Sequence, residues 1–144
     1  MIVGLLALAM AAFYAGAALY VNVVELPALR GLDDQALLAG WKVSLRRGFR
    51  MQAPLCVVGF LLGLIAWAQT HYLGDALGAL AMLANVPWTL ALIAPINRAL
   101  KAVDPVMSGP ATRTLIKRWG ALHSVRTALG LLAIIAFLQA RLPA

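Results

Sequence analysis

Four apolar segments, 2–24, 53–68, 77–96 and 122–138, constrain this chain more than any other feature. A helix needs about 20 apolar residues to cross the hydrocarbon core of a bilayer. The first and third segments reach that length. The second is shorter, and Arg50 and Gln52 can snorkel to the interface at its start. Backbone polar groups in lipid must pair within their own segment, so helices are expected here and isolated strands are not. The expected fold class is all-α: an integral membrane four-helix bundle forming a single domain over 1–144. Composition agrees, with 63% hydrophobic and 12% charged residues, too few charges to cover a soluble surface.

Charge sets the orientation. Two long loops, after the first and third segments, carry Arg30, Lys42, Arg46, Arg47, Arg50, Arg98, Lys101, Arg113, Lys117 and Arg118, whereas only Arg141 falls on the other side. Basic residues flanking apolar spans follow the positive-inside rule, so both loops are expected in the cytoplasm and both termini outside. This explains the net charge of +7 without nucleic acid, for which the chain carries no motif. Ala15-Gly16-Ala17 looks like a signal-peptidase site, but no basic region precedes it and the apolar run continues, so an uncleaved first span is expected. The single cysteine, Cys56, excludes an intrachain disulfide and a CxxC motif.

The loops have structure of their own. Asp33 or Asp34 can cap a helix running to about Arg47, with Leu37, Leu38, Trp41 and Leu45 on one face and the basic residues largely off it. That pattern describes an amphipathic interfacial helix with Trp41 at headgroup depth. Ser108, Gly109 and Pro110 mark a further helix start leading into the fourth span. Pro54 suits a first helical turn. Pro87 falls inside the third span and should free the carbonyl of Leu83.

Helix phasing gathers polar residues at the basic end. Ala7, Ala11, Ala15 and Ala18 share one face of the first helix, which Asn22 and Glu25 continue. The second helix offers Gly59-x-x-x-Gly63, and small residues of this kind permit close packing. Trp119, His123 and Arg126 share one sector of the fourth helix, and chain reversal brings Asn97 to the same end. Polar groups at membrane depth are costly and mark candidate sites. In this cluster His123 can act as a general base. Arg126 can hold a developing oxyanion, and Asn22 and Asn97 can donate to a carbonyl. Asn22, Glu25, Trp119, Trp88 and Tyr20 are candidate substrate contacts, the aromatic rings flanking a flat ligand. A structural reading competes: Glu25 and Arg126 as an ion pair, and His123 as a capping group. Two histidines on opposite sides and one nearby carboxylate fall short of the three ligands usual for zinc, so neither a metal nor a cofactor is expected.

Several motifs lie in these same places: Ala15-Gly16-Ala17-Ala18-Leu19-Tyr20 with Asn22 and Glu25-Leu26-Pro27, Asn85-Val86-Pro87-Trp88, Pro95-Ile96-Asn97-Arg98, and Trp119-Gly120-x-Leu122-His123-x-x-Arg126-Thr127. Together they resemble a family of small four-helix membrane proteins that includes the fungal anthrone oxygenases. The resemblance implies cofactor-independent oxygenation of an aromatic or lipophilic substrate, with His123 as base and Arg126 and Asn97 holding oxygens. The alternative expectation is a non-catalytic membrane protein that binds a lipid or small molecule, or an assembly subunit. A transporter is disfavoured because no polar stripe crosses from one face to the other. High Ala, Leu and Arg usage looks bacterial, which would place the chain in the inner (cytoplasmic) membrane.

Overall fold

The computed structural model describes residues 2–142. Four helices account for nearly all of them: α1 (Ile2–Arg30), α2 (Asp34–Thr70), α3 (Leu73–Ala102) and α4 (Pro110–Gln139), each long and apolar enough to cross a membrane. They form a closed ring in which α1 packs on α2 and α4, and α3 packs on α2 and α4. Among the described residues there is no strand.

The helices outrun their apolar segments because their ends pack on each other beyond the membrane. α2 has 37 residues, about 56 Å at 1.5 Å per residue, against a hydrocarbon core of roughly 30 Å. Asp33 caps it, accepting from the Ala36 amide at 2.8 Å. The amphipathic stretch is thus the first part of the second span. Its apolar face turns toward protein: Leu37, Leu38 and Trp41 are buried with Leu26, Ile93, Ile96, Leu100, Ile116 and Trp119 in an inner-end core. Trp41 is therefore covered by protein and not by lipid headgroups, with Trp119 edge to face at 5.6 Å. Pro54 likewise lies well inside α2 and not in a first turn.

Polar clasps hold the basic end. Arg113 on α4 donates from Nε to Asp34 (2.7 Å), and from its two terminal nitrogens to the carbonyls of Arg30 (2.9 Å) and Leu32 (2.8 Å). One guanidinium thereby closes the α1–α2 turn. Lys42 donates to the carbonyl of Lys101 (3.0 Å) at the end of α3.

The outer half is packed through small residues. Ala7, Ala11, Ala15 and Ala18 are all buried. The Phe137 ring fills a slot between α2 and α3 that exists only because two positions lack a side chain. A Cβ at Gly63 would come within 2.7 Å of that ring, and one at Gly78 within 2.6 Å. The end opposite the basic one is closed by a buried ion pair absent from the sequence expectations: Arg141 to Asp75, which is fully buried and also accepts from Thr70 at 3.0 Å. The Arg141 guanidinium occupies the space a side chain at Gly4 would need.

Two outcomes follow for stability. Removing one partner of a buried pair strands the other charge, so Asp75→Asn or Arg141→Ala should cost about 3–5 kcal/mol. Gly78→Ala should cost about 1–3 kcal/mol through overpacking against Phe137. Thermal unfolding of the detergent-solubilised variants would measure both.

Candidate functional site

Two π turns interrupt the bundle at its basic end: Val21–Glu25 in α1 and Thr89–Ile93 in α3. A π turn carries one extra residue per turn and is frequent at functional sites. The second begins two residues after Pro87, which lacks the N–H that would pair with the Leu83 carbonyl. Both turns border one pocket, through Val21 and Glu25 on one side and Thr89 and Ile93 on the other. The pocket encloses about 540 Å³ including its open mouth, and α2 and α4 complete its walls. Much of that space is shared with open solvent, and the cavity proper measures about 50 Å³.

At the pocket's inner limit a chain of hydrogen bonds crosses the bundle. Arg126 Nε donates to Tyr14 Oη (3.0 Å), Tyr14 Oη donates to Asn85 Oδ1 (2.8 Å), and Asn85 Nδ2 donates to the carbonyls of Ala81 (3.1 Å) and Met82 (3.3 Å). The Arg126 guanidinium also lies 5.6 Å from the Tyr14 ring centre, within cation–π range. Among the described residues no carboxylate pairs with Arg126, and the terminal nitrogens of its fork have no hydrogen-bond partner. The expected Glu25–Arg126 ion pair is not formed. Glu25 instead accepts from the Ser44 hydroxyl across the α1–α2 seam.

The aromatic wall is ordered by stacking. Trp119 lies on His123, ring centres 4.9 Å apart and planes 27° apart. Its indole N–H donates to Asn97 Oδ1 at 2.8 Å. His123 is 2% exposed, and its Nδ1 is 2.6 Å from the Asn22 amide.

Of the residues named from sequence, Glu25, Asn97, Trp119, His123 and Arg126 all border the pocket. Asn22 stands behind His123 and does not border it. Trp88 is turned away, donating to the Leu122 carbonyl at 3.0 Å. Tyr20 is exposed on the outside of α1 and contributes no wall. Neither ring therefore flanks a ligand here. Tyr20 precedes the first π turn and lies on the side of α1 away from the buried alanines.

Other wall residues were not among the contacts expected from sequence, although chain reversal brings Gln52 to the same edge. Gln52, expected to snorkel, is 2% exposed and borders the pocket, and its amide bonds no described residue. Trp41 also borders it, with a buried indole N–H that lacks a partner. Tyr14 was legible in principle: it is the one polar side chain within the alanine face of α1. Among the described residues, no three His, Cys, Asp or Glu side chains come together.

Fold and site define a membrane-embedded helical bundle with one donor-rich pocket at its basic end. Residues 41–136 match the family model for anthrone oxygenase, about two thirds of the chain, and the protein belongs to that family. No curated protein and no solved structure matches it.

Tyr14→Phe tests the hydrogen-bonded chain. Deleting one hydroxyl leaves Asn85 Oδ1 without its donor and Arg126 Nε without its acceptor, at an expected cost of about 1–3 kcal/mol. The thermal midpoint should fall, and the Asn85 side-chain amide resonances should shift.

Proposed function

We propose that this protein is a membrane enzyme that oxygenates a flat, lipophilic, oxygen-bearing aromatic substrate with molecular oxygen and no dissociable cofactor. The observation that carries this reading is Arg126: a guanidinium at membrane depth, on a pocket wall, without a carboxylate partner among the described residues. Such a charge is expensive to hold in the bilayer and is usually matched to a substrate or pathway. A substrate that becomes anionic during reaction would supply the missing partner. Family membership points to the same chemistry.

The reaction balances as follows. A base on the wall takes a proton from the activated C–H of the substrate, and the electron pair moves onto the conjugated oxygen. Arg126 and the Asn97 amide hold that oxyanion, a form of electrostatic stabilisation that grows with the charge. The electron-rich anion reduces O₂ and joins it, and a proton completes a hydroperoxide. Loss of water then leaves a new carbonyl. One O₂ is consumed, with one atom in the product and one in water. The wall offers two groups able to accept the first proton, His123 and Glu25. Trp119 stacked on His123 supplies a flat apolar surface for the ring system.

The same reading places the protein in a bacterial inner membrane, as one domain with both termini outside and the pocket near the cytoplasmic leaflet. There a lipophilic substrate would already be concentrated. The other reading, a binder or assembly subunit, was tied to a sealed Glu25–Arg126 pair, which does not form among the described residues.

Purified protein incubated with anthrones and related hydroxyaromatics should consume one O₂ per carbonyl formed. Absence of oxygen uptake across the panel would defeat the assignment. Arg126→Gln, with an unchanged elution profile in detergent, should lower turnover by about 10²–10³-fold, the scale for loss of an oxyanion contact.

A further inference from the structure

The Asn22–His123 contact decides which of the two candidate bases acts. One orientation of the Asn22 amide gives both its nitrogen and its oxygen complementary partners. In it, Nδ2 donates to the Ala18 carbonyl (3.3 Å) and to His123 Nδ1 (2.6 Å), while Oδ1 accepts from the Ser124 amide (3.2 Å) and hydroxyl (2.5 Å). The reverse orientation would set Oδ1 against an acceptor, the Ala18 carbonyl. Amide orientation is assigned from such networks, and here the Ala18 carbonyl selects this one; the Ser124 hydroxyl then turns to Asn22 from the Gly120 carbonyl, which it otherwise meets at 3.1 Å. A ring nitrogen that accepts a hydrogen bond carries no proton, so the proton of the neutral imidazole is on Nε2.

The Nε2 atom has no partner among the described residues, and it belongs to a side chain that borders the pocket. It is also absent from the buried, sealed polar atoms, which are Trp41 Nε1 and Thr127 Oγ1. Nε2–H therefore meets the pocket as a donor. We propose that Asn22 fixes His123 as the Nε2–H tautomer, so that His123 donates to the substrate oxygen and Glu25 is the group that takes the proton.

Glu25 meets the requirements of that role. It borders the same pocket, and one carboxylate oxygen is oriented by the Ser44 hydroxyl. The other has no partner among the described residues. The step balances: the substrate C–H bond breaks, its proton passes to the free Glu25 oxygen, and its electron pair delocalises onto the substrate oxygen. His123 Nε2–H and Arg126 then face that oxygen together. Asn22 touches neither substrate nor reacting atom and acts only through His123. It is a positioning residue. Trp119, stacked on the imidazole, holds the ring plane.

The tautomer stands on geometry alone; the roles of His123 and Glu25 rest on the proposed oxygenase reading. The two are tested apart. With ¹⁵N-histidine, the full-length protein in nanodiscs gives signals from only two residues, and His71→Gln removes one of them. The remaining ring should show a protonated Nε2 and a bare Nδ1. A protonated Nδ1 would overturn the assignment whether or not any substrate is found. Asn22→Leu should yield a mixture of tautomers; an unchanged spectrum would remove Asn22 from its role.

Turnover of an anthrone then distinguishes donor from base. His123→Gln retains an N–H donor and should keep activity within about tenfold, whereas Glu25→Gln should lose at least about a hundredfold, the scale of general-base catalysis. Equal losses in the two variants would return the base to His123. If wild-type protein turns over nothing, the oxygenase reading fails and the spectrum still decides the tautomer.

Discussion

The hydrogen bond from Arg126 to Tyr14 sets the level at which this bundle changes character. On the outer side of it, alanines and glycines bring the helices together and a single phenyl ring fills the remaining gap. On the basic side the helices part around a pocket. The bond draws three helices into one network, because Tyr14 lies on α1, Arg126 on α4 and Asn85, which accepts from Tyr14, on α3. A guanidinium at this depth needs both a fixed position and a reason to remain charged. Tyr14 supplies the first. It leaves the terminal nitrogens of the fork without a partner among the described residues, on a side chain that borders the pocket.

The two π turns follow from the same division. A tightly packed α-helix leaves little room beside it, and an inserted residue widens the backbone locally. In lipid such a break is tolerated where it is covered by protein or lines a cavity. Both turns border the pocket, and each is followed two residues later by a proline, Pro27 after Glu25 and Pro95 after Ile93. The proline then sits at the start of the resumed α-helix, where a missing N–H does least harm. The pocket is thus built from a regular bundle by two matched irregularities and not by a long loop.

Membership of the anthrone oxygenase family supplies a reaction class, and the site supplies a physical reading of it. In the proposed reaction, oxygenation without a cofactor needs a substrate that can be made electron-rich, so the protein's part would be to remove a proton and stabilise the resulting anion. The pocket is suited to that division of labour: one carboxylate among several donors, with an aromatic wall beside them. The proposed chemistry asks nothing of the outer half except rigidity, which the Asp75–Arg141 pair and the Phe137 slot provide.

Helix count, basic-side asymmetry and the alanine face of α1 were determined by the sequence alone, because each rests on periodicity or on the cost of polar groups in lipid. The convergence of Glu25, Asn97, Trp119, His123 and Arg126 was legible for the same reason: chain reversal puts four helix ends at one edge. Tertiary structure decided the rest. Tyr20 lies outside the site because it points away from the buried alanines in the regular part of α1, Trp88 because a local hydrogen bond turns it aside, and Gln52 entered it because α2 runs on unbroken past Pro54. The Glu25–Arg126 pair dissolved into separate contacts with Ser44 and Tyr14. Such partner choices depend on distances of a few ångströms between helices, and residue order along one helix does not contain them.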